Sequence, residues 1–126
     1  MSEGTGRAVL VVDDDAAIRL VCRINLELEG FRVLEAATTH EAHEQLERED
    51  VDIVLVDVHI GDADGRELVR ELRVARRPRA LALLTGSVDL TPEERADADA
   101  VIIKPFPIDE LVGTVHRLAS VLDSAR

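Results

Sequence analysis

The chain has 126 residues, a length that suits one domain with a single hydrophobic core and excludes a multidomain enzyme. Its 26 acidic and 15 basic residues give a formal net charge of -11, which disfavours binding to nucleic acid or anionic membranes and points to cations or basic partners. Because there is one cysteine, Cys22, and no apolar run long enough for a signal peptide or a membrane span, an internal disulfide is excluded and we expect a cytoplasmic protein.

Short apolar runs and helical patterns alternate along the chain. The apolar runs are rich in Val, Ile and Leu and have the length of buried strands, while the segments between them carry apolar residues at helical spacing. This alternation is typical of a parallel sheet with helices on both faces, so we predict a single α/β domain from about residue 7 to residue 124. The predicted elements are strand 8–12, helix 16–28, strand 32–36, helix 40–49, strand 51–56, helix 65–74, strand 80–84, helix 92–98, strand 100–103 and helix 108–122.

Capping residues stand at several of the predicted helix starts. Asp14 or Asp15 can cap the first helix, and a turn at residues 64–65 precedes the third. Residues 91–94, Thr-Pro-Glu-Glu, are typical of a helix start with a cap, a proline in the first turn and acidic residues near the helix dipole. Cys22 falls in the apolar pattern of the first helix, where we expect a buried small side chain.

Acidic residues directly follow two of the predicted strands. Asp13, Asp14 and Asp15 come after the first strand, and Asp57 comes after the third. Ligands of an open parallel sheet bind beyond the carboxyl ends of its strands, so these residues meet at the functional edge. Carboxylates that meet at one edge repel each other unless a cation lies among them, and oxygen ligands suit Mg²⁺. We therefore predict a Mg²⁺ (or Mn²⁺) site at Asp13, Asp14 and Asp57, with Asp15 serving as a helix cap.

Two further strand ends carry groups that suit a bound anion. Lys104 follows the fifth strand and is the only lysine among the 15 basic residues of the chain. A compact ammonium group serves a buried anion as a point charge, whereas a guanidinium needs more room, so we expect Lys104 to face the acidic pocket. Thr85 and Gly86 follow the fourth strand and supply a hydroxyl and an unobstructed backbone N–H, both of which can donate to a phosphoryl oxygen.

Four segments of the chain carry these residues. Segments 9–15, 52–65, 81–86 and 102–106 have the sequences VLVVDDD, DIVLVDVHIGDADG, LALLTG and IIKPF. In their order and spacing, across essentially the whole chain, they resemble the receiver domain of bacterial two-component response regulators. The resemblance implies one receiver domain over residues 1–126, with a flavodoxin-like, doubly wound (βα)5 sandwich whose five-stranded parallel sheet has the order 2-1-3-4-5.

The resemblance also implies roles for the acidic residues. Asp57 would be the phosphoacceptor, Asp14 the direct metal ligand and Asp13 a ligand that acts mainly through water. The backbone carbonyl of His59 would complete the share of the coordination that the protein supplies. We expect the His59 side chain to be a solvated loop histidine, with control of water access or contact with the phosphodonor as the alternative.

The remaining site residues would hold the phosphoryl group. By resemblance, Thr85 and Lys104 contact it with their side chains and Gly86 with its backbone N–H. The peptide bond between Lys104 and Pro105 is expected to be cis.

The function that the resemblance implies is phosphorelay signal transduction. A histidine kinase or a histidine phosphotransfer protein would transfer a phosphoryl group from a phosphohistidine to Asp57 in a Mg²⁺-dependent reaction. Movement of Thr85 would then switch a surface around the fourth helix, fifth strand and fifth helix for a downstream protein. Such a domain is not an enzyme beyond catalysing its own phosphorylation and dephosphorylation. We expect no output domain in this chain, no direct nucleic-acid binding and no membrane association.

Two other functional classes fit part of the pattern. One is a receiver-like interaction module with weak or no phosphate-dependent switching, because Val101 stands where the family usually has Phe or Tyr. Without that ring we expect weak coupling, reported by backbone movement over residues 85–88. The other is a haloacid-dehalogenase-type phosphohydrolase. That chemistry needs a second Asp two residues after Asp57, where this chain has His59, and a cap domain for which 126 residues leave no room.

Arginines recur at helical spacing after the acidic site. With Glu67 and Glu71 among them, the pattern is typical of a solvated helix face with ion pairs. The alternative is a docking stripe for an acidic partner. The arginines are Arg66, Arg70, Arg73 and Arg77.

Overall fold

A computed structural model describes residues 6–75, 77, 79–86 and 90–124, and its main feature is a sheet of parallel strands. The strands of this sheet are β1 (Ala8–Val12), β2 (Arg32–Ala36), β3 (Ile53–Asp57), β6 (Ala80–Thr85) and β7 (Ala100–Ile103). A separate antiparallel ribbon pairs β4 (His59–Ile60) with β5 (Ala63–Asp64). The helices are α1 (Ala16–Leu28), α2 (Thr39–Arg48), α3 (Gly65–Arg73), α4 (Pro92–Ala96) and α5 (Ile108–Ser124). None of the helices that the structure describes is long and apolar enough to cross a membrane.

The strands of the large sheet lie in the order β2-β1-β3-β6-β7, and every neighbouring pair is parallel. This is the predicted doubly wound order 2-1-3-4-5 when the two ribbon strands are left out of the numbering. The predicted bounds of the first, second and fifth strands and of the first helix agree with the structure. The other predicted bounds differ from the structure by one or two residues at one or both ends.

Two of these differences have physical reasons. The third strand begins at Ile53 rather than at residue 51, because the backbone carbonyl of Val51 accepts hydrogen bonds from the side chains of Arg77 and Arg79 although Val51 itself is buried. The fourth helix ends at Ala96 rather than at residue 98, because Ala98 N–H donates to the carbonyl of Arg95 in a tighter turn.

Alternate residues of the central strands pack on opposite faces of the sheet. Val9 and Val11 belong to the core cluster that α1 and α5 complete, whereas Leu10 and Val12 belong to the cluster completed by α2 and α3. All five residues of β1 and of β3 are buried, which is why these strands are continuous apolar runs in the sequence. Burial contributes about 1.5–3 kcal/mol for each large aliphatic side chain, so the strand ends are held firmly between the helix layers.

Side-chain caps begin α1 and α4 as the sequence predicts. Asp15 accepts a hydrogen bond of 2.9 Å from the backbone N–H of Ala17 and is the N-cap of α1. Thr91 and Glu94 form a capping box: Glu94 N–H donates to Thr91 Oγ1 (3.1 Å), and Thr91 N–H donates to Glu94 Oε1 (2.9 Å). Because Asp15 caps α1, the neighbouring carboxylate of Asp14 is left for the edge of the sheet.

Cys22 is fully buried on the inner face of α1, in agreement with the prediction. Burial in apolar surroundings, together with the negative charge of Asp13, raises the pKa of the Cys22 thiol to about 12. The thiol is therefore neutral in the folded protein at neutral pH and has little of the thiolate character that makes a cysteine reactive.

We predict that Cys22 makes the free energy of unfolding fall as the pH rises above the ordinary thiol pKa of 9.0. The unfolded chain releases this proton near pH 9.0, whereas the folded chain holds it until a pH of about 12, so deprotonation favours the unfolded state in between. The Cys22 contribution to the slope is at most about 1.4 kcal/mol per pH unit. Urea unfolding followed by circular dichroism measures this slope.

The matched control for this prediction is Cys22→Ala. It removes the thiol and leaves Lys104 in place, and the chain has no tyrosine that would titrate in the same pH range. The variant should be less stable at neutral pH and should have a shallower pH dependence above 9.0. Equal slopes in the wild type and in the variant would contradict the prediction.

Candidate functional site

The carboxyl ends of β1, β3, β6 and β7 place the predicted site residues at one edge of the sheet. Asp13 and Asp14 directly follow β1, Asp57 is the last residue of β3, and Lys104 directly follows β7. One ligand oxygen from each of Asp13, Asp14 and Asp57 lies within 4.8 Å of the others. Residues separated by 43 positions in the chain thus form one acidic cluster, as the parallel topology predicts.

Asp13 is a fully buried carboxylate, and both of its oxygens accept hydrogen bonds. Oδ2 accepts from Lys104 Nζ at 2.7 Å, and Oδ1 accepts from the backbone N–H of Asp15 at 2.9 Å. Burial raises the pKa of Asp13, and the neighbouring Asp57 adds to this, whereas the hydrogen bonds from Lys104 and Asp15 act in the opposite direction. The negative charge of the Asp13 carboxylate therefore depends on the hydrogen bonds that Lys104 and Asp15 donate to it.

Lys104 lies between two carboxylates. Its Nζ donates to Asp13 Oδ2 and, at 3.0 Å, to Asp57 Oδ2, with only 21% of its side chain exposed. Burial by itself would lower the pKa of Lys104, but the hydrogen bonds to Asp13 and Asp57 outweigh it, so the pKa is raised. The ammonium group is therefore charged at neutral pH and faces the acidic pocket.

The loop after β3 supplies backbone donors to the acidic cluster. Asp57 Oδ1 accepts from the N–H of His59 (3.0 Å), and Asp14 Oδ2 accepts from the N–H of Gly61 (3.0 Å). Gly61 has a φ of 58°, a left-handed conformation that favours glycine. The His59 side chain is exposed at this rim, as expected. The loop thus donates one backbone N–H to each of Asp57 and Asp14.

The three carboxylates fit a divalent cation that prefers oxygen ligands. Asp57 is nearly buried and Asp14 is exposed, so the cluster opens toward solvent on the side of Asp14. Mg²⁺ keeps several water ligands and binds through one or two carboxylates, which suits a site with this partial opening. Asp13 has both oxygens engaged in hydrogen bonds and is suited to bind such an ion through water.

The structure places the two residues after the fourth predicted strand at the same edge. Thr85 is buried as the last residue of β6, and its carbonyl accepts a hydrogen bond of 2.7 Å from the N–H of Lys104. Gly86 is exposed, and no described atom lies within 4 Å of the Cβ that another residue would place there. The Lys104-Pro105 peptide bond is cis, in agreement with the expectation.

Gly65 is a site residue that the sequence analysis recognised only as part of a turn. It is the first residue of α3, and its N–H donates to the carbonyl of Val58 at 2.8 Å. A Cβ at this position would lie 1.9 Å from the backbone carbonyl oxygen of Asp57 and 2.8 Å from a methyl group of Val56. The one available signal was a glycine at the first position of a helix, which indicates close backbone approach.

Arg19 is a second residue of the site that the sequence pattern did not indicate. From the first turns of α1, its Nη1 donates to the backbone carbonyl of Asp13 at 2.6 Å, while its Nε pairs with Glu35 of β2 at 3.0 Å. The guanidinium thus holds the backbone of the acidic segment against the neighbouring strand. This role depends on how α1 packs against the ends of β1 and β2, so no periodic pattern in the sequence indicates it.

The four arginines at helical spacing behave mostly as an ion-paired face. Arg66 pairs with Asp64 and Glu94, Arg73 with Asp99, and Arg77 with Asp50 and Asp52. Arg70 forms no hydrogen bond or ion pair with the residues that the structure describes, although its charge lowers the pKa of Asp64 together with Arg66. This supports the first of the two interpretations of the pattern, since most of the row is paired within the chain.

Comparison with known proteins identifies relatives over most of the chain. A family model described as response regulator receiver domain matches residues 9–116. The cell cycle transcriptional regulator CtrA of Caulobacter vibrioides is 30% identical over 111 residues, which are 86% of this chain and 48% of that protein. The chain thus spans about half the length of the curated relatives that it matches.

Solved structures show the same architecture. A CheY-like response regulator receiver domain from Methanospirillum hungatei is 28% identical, with a TM-score of 0.86 and coverage of 96% of this chain and 99% of that chain. The response regulator TrrA from Thermotoga maritima, in complex with Mg²⁺ and BeF, is 29% identical, with a TM-score of 0.79 and coverage of 89% and 98% of the two chains.

We predict that Gly65→Ala lowers the free energy of unfolding by about 1–3 kcal/mol, since the new methyl group displaces the Asp57 backbone or the start of α3. Urea unfolding followed by circular dichroism measures the loss. Gly113→Ala in α5 is the control, because its nearest contact there is an Arg117 nitrogen at 3.6 Å. This variant should gain about 0.5–1 kcal/mol from helix propensity. A neutral effect of Gly65→Ala would show that the contact at Asp57 can relax.

Proposed function

The chain belongs to the response regulator receiver domain family, a family of signalling domains, and we propose that it acts in a phosphorelay by accepting a phosphoryl group on Asp57. The observation that carries the proposal is the environment of this carboxylate. One oxygen of Asp57 accepts from the only lysine of the chain, and the carboxylate lies among two further aspartates that can hold a cation. A nucleophile, a fixed positive charge and carboxylates that can hold a metal ion are thus combined at one edge of the sheet.

The proposed reaction is attack by an Asp57 oxygen on the phosphorus of a phosphohistidine. The O–P bond forms as the P–N bond breaks, and the imidazole leaves with the bonding electron pair and takes a proton from solvent. Lys104 then neutralises charge on the phosphoryl oxygens, and the Thr85 hydroxyl and Gly86 N–H donate hydrogen bonds to them. The resulting acyl phosphate is later hydrolysed by water at the same site.

In this proposal Asp14 and Asp57 hold Mg²⁺ or Mn²⁺ directly, Asp13 holds it mainly through water, and the backbone carbonyl of His59 completes the protein ligands. The metal would supply charge neutralisation on the phosphoryl oxygens. Asp13 keeps Lys104 in place by the hydrogen bond of 2.7 Å, so the same residue serves the metal and the ammonium group.

The proposed partners are a histidine kinase or histidine phosphotransfer protein as donor and a downstream protein as target. The surface for the target lies around α4, β7 and α5, next to Thr85. Val101 of β7 is half-buried against the core cluster completed by α2 and α3. This position therefore holds a branched aliphatic side chain with few rotamers instead of the aromatic ring that is usual in the family. We therefore propose weak coupling through this position. Of the segment expected to report it, Ser87 and Val88 lie outside the described residues.

We predict that incubation with acetyl phosphate and Mg²⁺ adds one phosphoryl group to the wild type and none to Asp57→Asn, because an amide is not a nucleophile for this transfer. Intact mass spectrometry measures the addition, and chelation of the metal should prevent it. Asp62→Asn is the control, because Asp62 is an exposed carboxylate of the same loop. Equal labelling of Asp57→Asn and the wild type would refute the assignment.

Lys104→Arg should behave as a loss of function rather than as a conservative change. The ammonium group contacts two carboxylates at 2.7 and 3.0 Å from one nitrogen, and a planar guanidinium cannot occupy this space with the same geometry. We expect beryllofluoride with Mg²⁺ to produce much smaller changes in the amide NMR signals of Thr85 and Gly86 than in the wild type. Wild-type changes in Lys104→Arg would contradict the need for a point charge.

A further inference from the structure

Helix α4 is attached to the rest of the molecule mainly by polar contacts. None of its five residues, all of which the structure describes, is buried. Among the described residues that flank the helix, Leu90 and Ala98 are those that pack against the core cluster completed by α2 and α3. Polar contacts to α3 therefore hold the helix: Arg73 donates to the carbonyl of Asp97 at 3.0 and 3.1 Å, and Arg66 pairs with Glu94.

Arg66 contacts two elements at once. Its Nε and Nη2 donate to the two oxygens of Asp64, each at 2.9 Å, and its Nη1 pairs with Glu94 Oε2. The bidentate geometry is the strong form of an arginine–carboxylate contact. Arg66 holds the pKa of Asp64 below its ordinary value, and Asp64 raises the pKa of Arg66, as expected for a formed ion pair.

Asp64 connects Arg66 to the acceptor carboxylate. Asp64 lies opposite His59 in the register of the antiparallel β4–β5 ribbon. The backbone N–H of His59 in turn donates to Asp57 Oδ1 at 3.0 Å. Asp64 also caps α3, whose first residue, Gly65, lies against the Asp57 backbone. The ribbon and Asp64 are therefore attached to the group that would change on phosphorylation.

Glu94 connects Arg66 to the start of α4. One oxygen of Glu94 accepts from the N–H of Thr91 in the capping box, and the other is paired with Arg66. The helix start and the contact to α3 thus share one side chain. A basic residue in the first turn of α3 is unfavourable with respect to the helix dipole, so its presence is explained better by these two partners than by helix formation.

We propose that Arg66 is a positioning residue that ties the loop after Asp57 to the first turn of α4, so that a change in this loop reaches α4 through Arg66. The inference rests on the proposed function only for the event that moves the loop, which is phosphorylation of Asp57. Through Arg66, a structural change at Asp57 can reach α4 in addition to the movement proposed for Thr85. This second connection does not require an aromatic ring at position 101.

The first experiment tests the tie in the unphosphorylated protein. Asp64→Asn and Glu94→Gln each break one contact of the tie, and Arg66→Gln breaks both. Asn still caps a helix, and Gln still completes a capping box. Amide exchange of Glu94 and Arg95, measured by NMR, should become about threefold faster in each variant, the range expected of a partly exposed ion pair. In the double variant Arg66→Gln/Glu94→Gln these amides should exchange as fast as in the two single variants, because each substitution already removes the contact between residues 66 and 94.

Two variants serve as matched controls. Arg70→Gln removes a neighbouring arginine of α3, and Glu93→Gln removes an exposed carboxylate next to Glu94. In both control variants the amides of residues 94 and 95 should exchange at the wild-type rate. Wild-type exchange in Arg66→Gln, or additive effects in the double variant, would overturn the proposed tie.

The second experiment adds Mg²⁺ and beryllofluoride, or acetyl phosphate, to the same variants. Arg66→Gln and Glu94→Gln should take up the phosphoryl group like the wild type by intact mass, while the shift changes of the α4 amides fall to about half or less. Full α4 changes in Arg66→Gln would overturn the inferred route. If the wild type takes up no phosphoryl group, the proposed function fails, whereas accelerated exchange in the first experiment still supports the tie.

Discussion

The site depends on one charged group, the Lys104 ammonium between Asp13 and Asp57. Asp13 is fully buried, and an unpaired carboxylate at that position would be strongly unfavourable. The lysine compensates this charge and at the same time connects the end of β7 to the ends of β1 and β3. Apolar packing of the sheet brings these strand ends close, and electrostatic pairing keeps the side chains in position. Removal of Lys104 leaves both carboxylates without this compensation.

The fold contributes to the site through close backbone contact as well as through strand order. Gly65 lets α3 begin against the carbonyl of Asp57, and the ribbon that precedes it returns a backbone N–H to the Asp57 carboxylate. Asp57 is thus fixed by its strand, by the following loop and by the next helix. Arg19 provides the corresponding support for Asp13 through its backbone carbonyl.

Much of this arrangement was predictable from the sequence, for a physical reason. Parallel strands have their carboxyl ends at the same edge, so locating the ends of the apolar runs was enough to bring Asp57 and Lys104 together. The contacts of Gly65, Arg19 and Arg66 were not predictable, because each depends on the distance between segments that no local period relates. The ribbon strands have two residues each, too few for an alternating pattern to appear.

The attachment of α4 by ion pairs has a consequence for how this surface can vary. Since no residue of the helix, described in full, is buried, a substitution on its outer face removes no core contact and leaves no cavity. Exposed positions such as Ala96 can therefore be exchanged at little cost in stability, provided that Thr91 and Glu94 keep the start of the helix. If α4 belongs to the proposed target surface, recognition is in this way separated from folding within a single short helix, and a change of specificity there costs little stability.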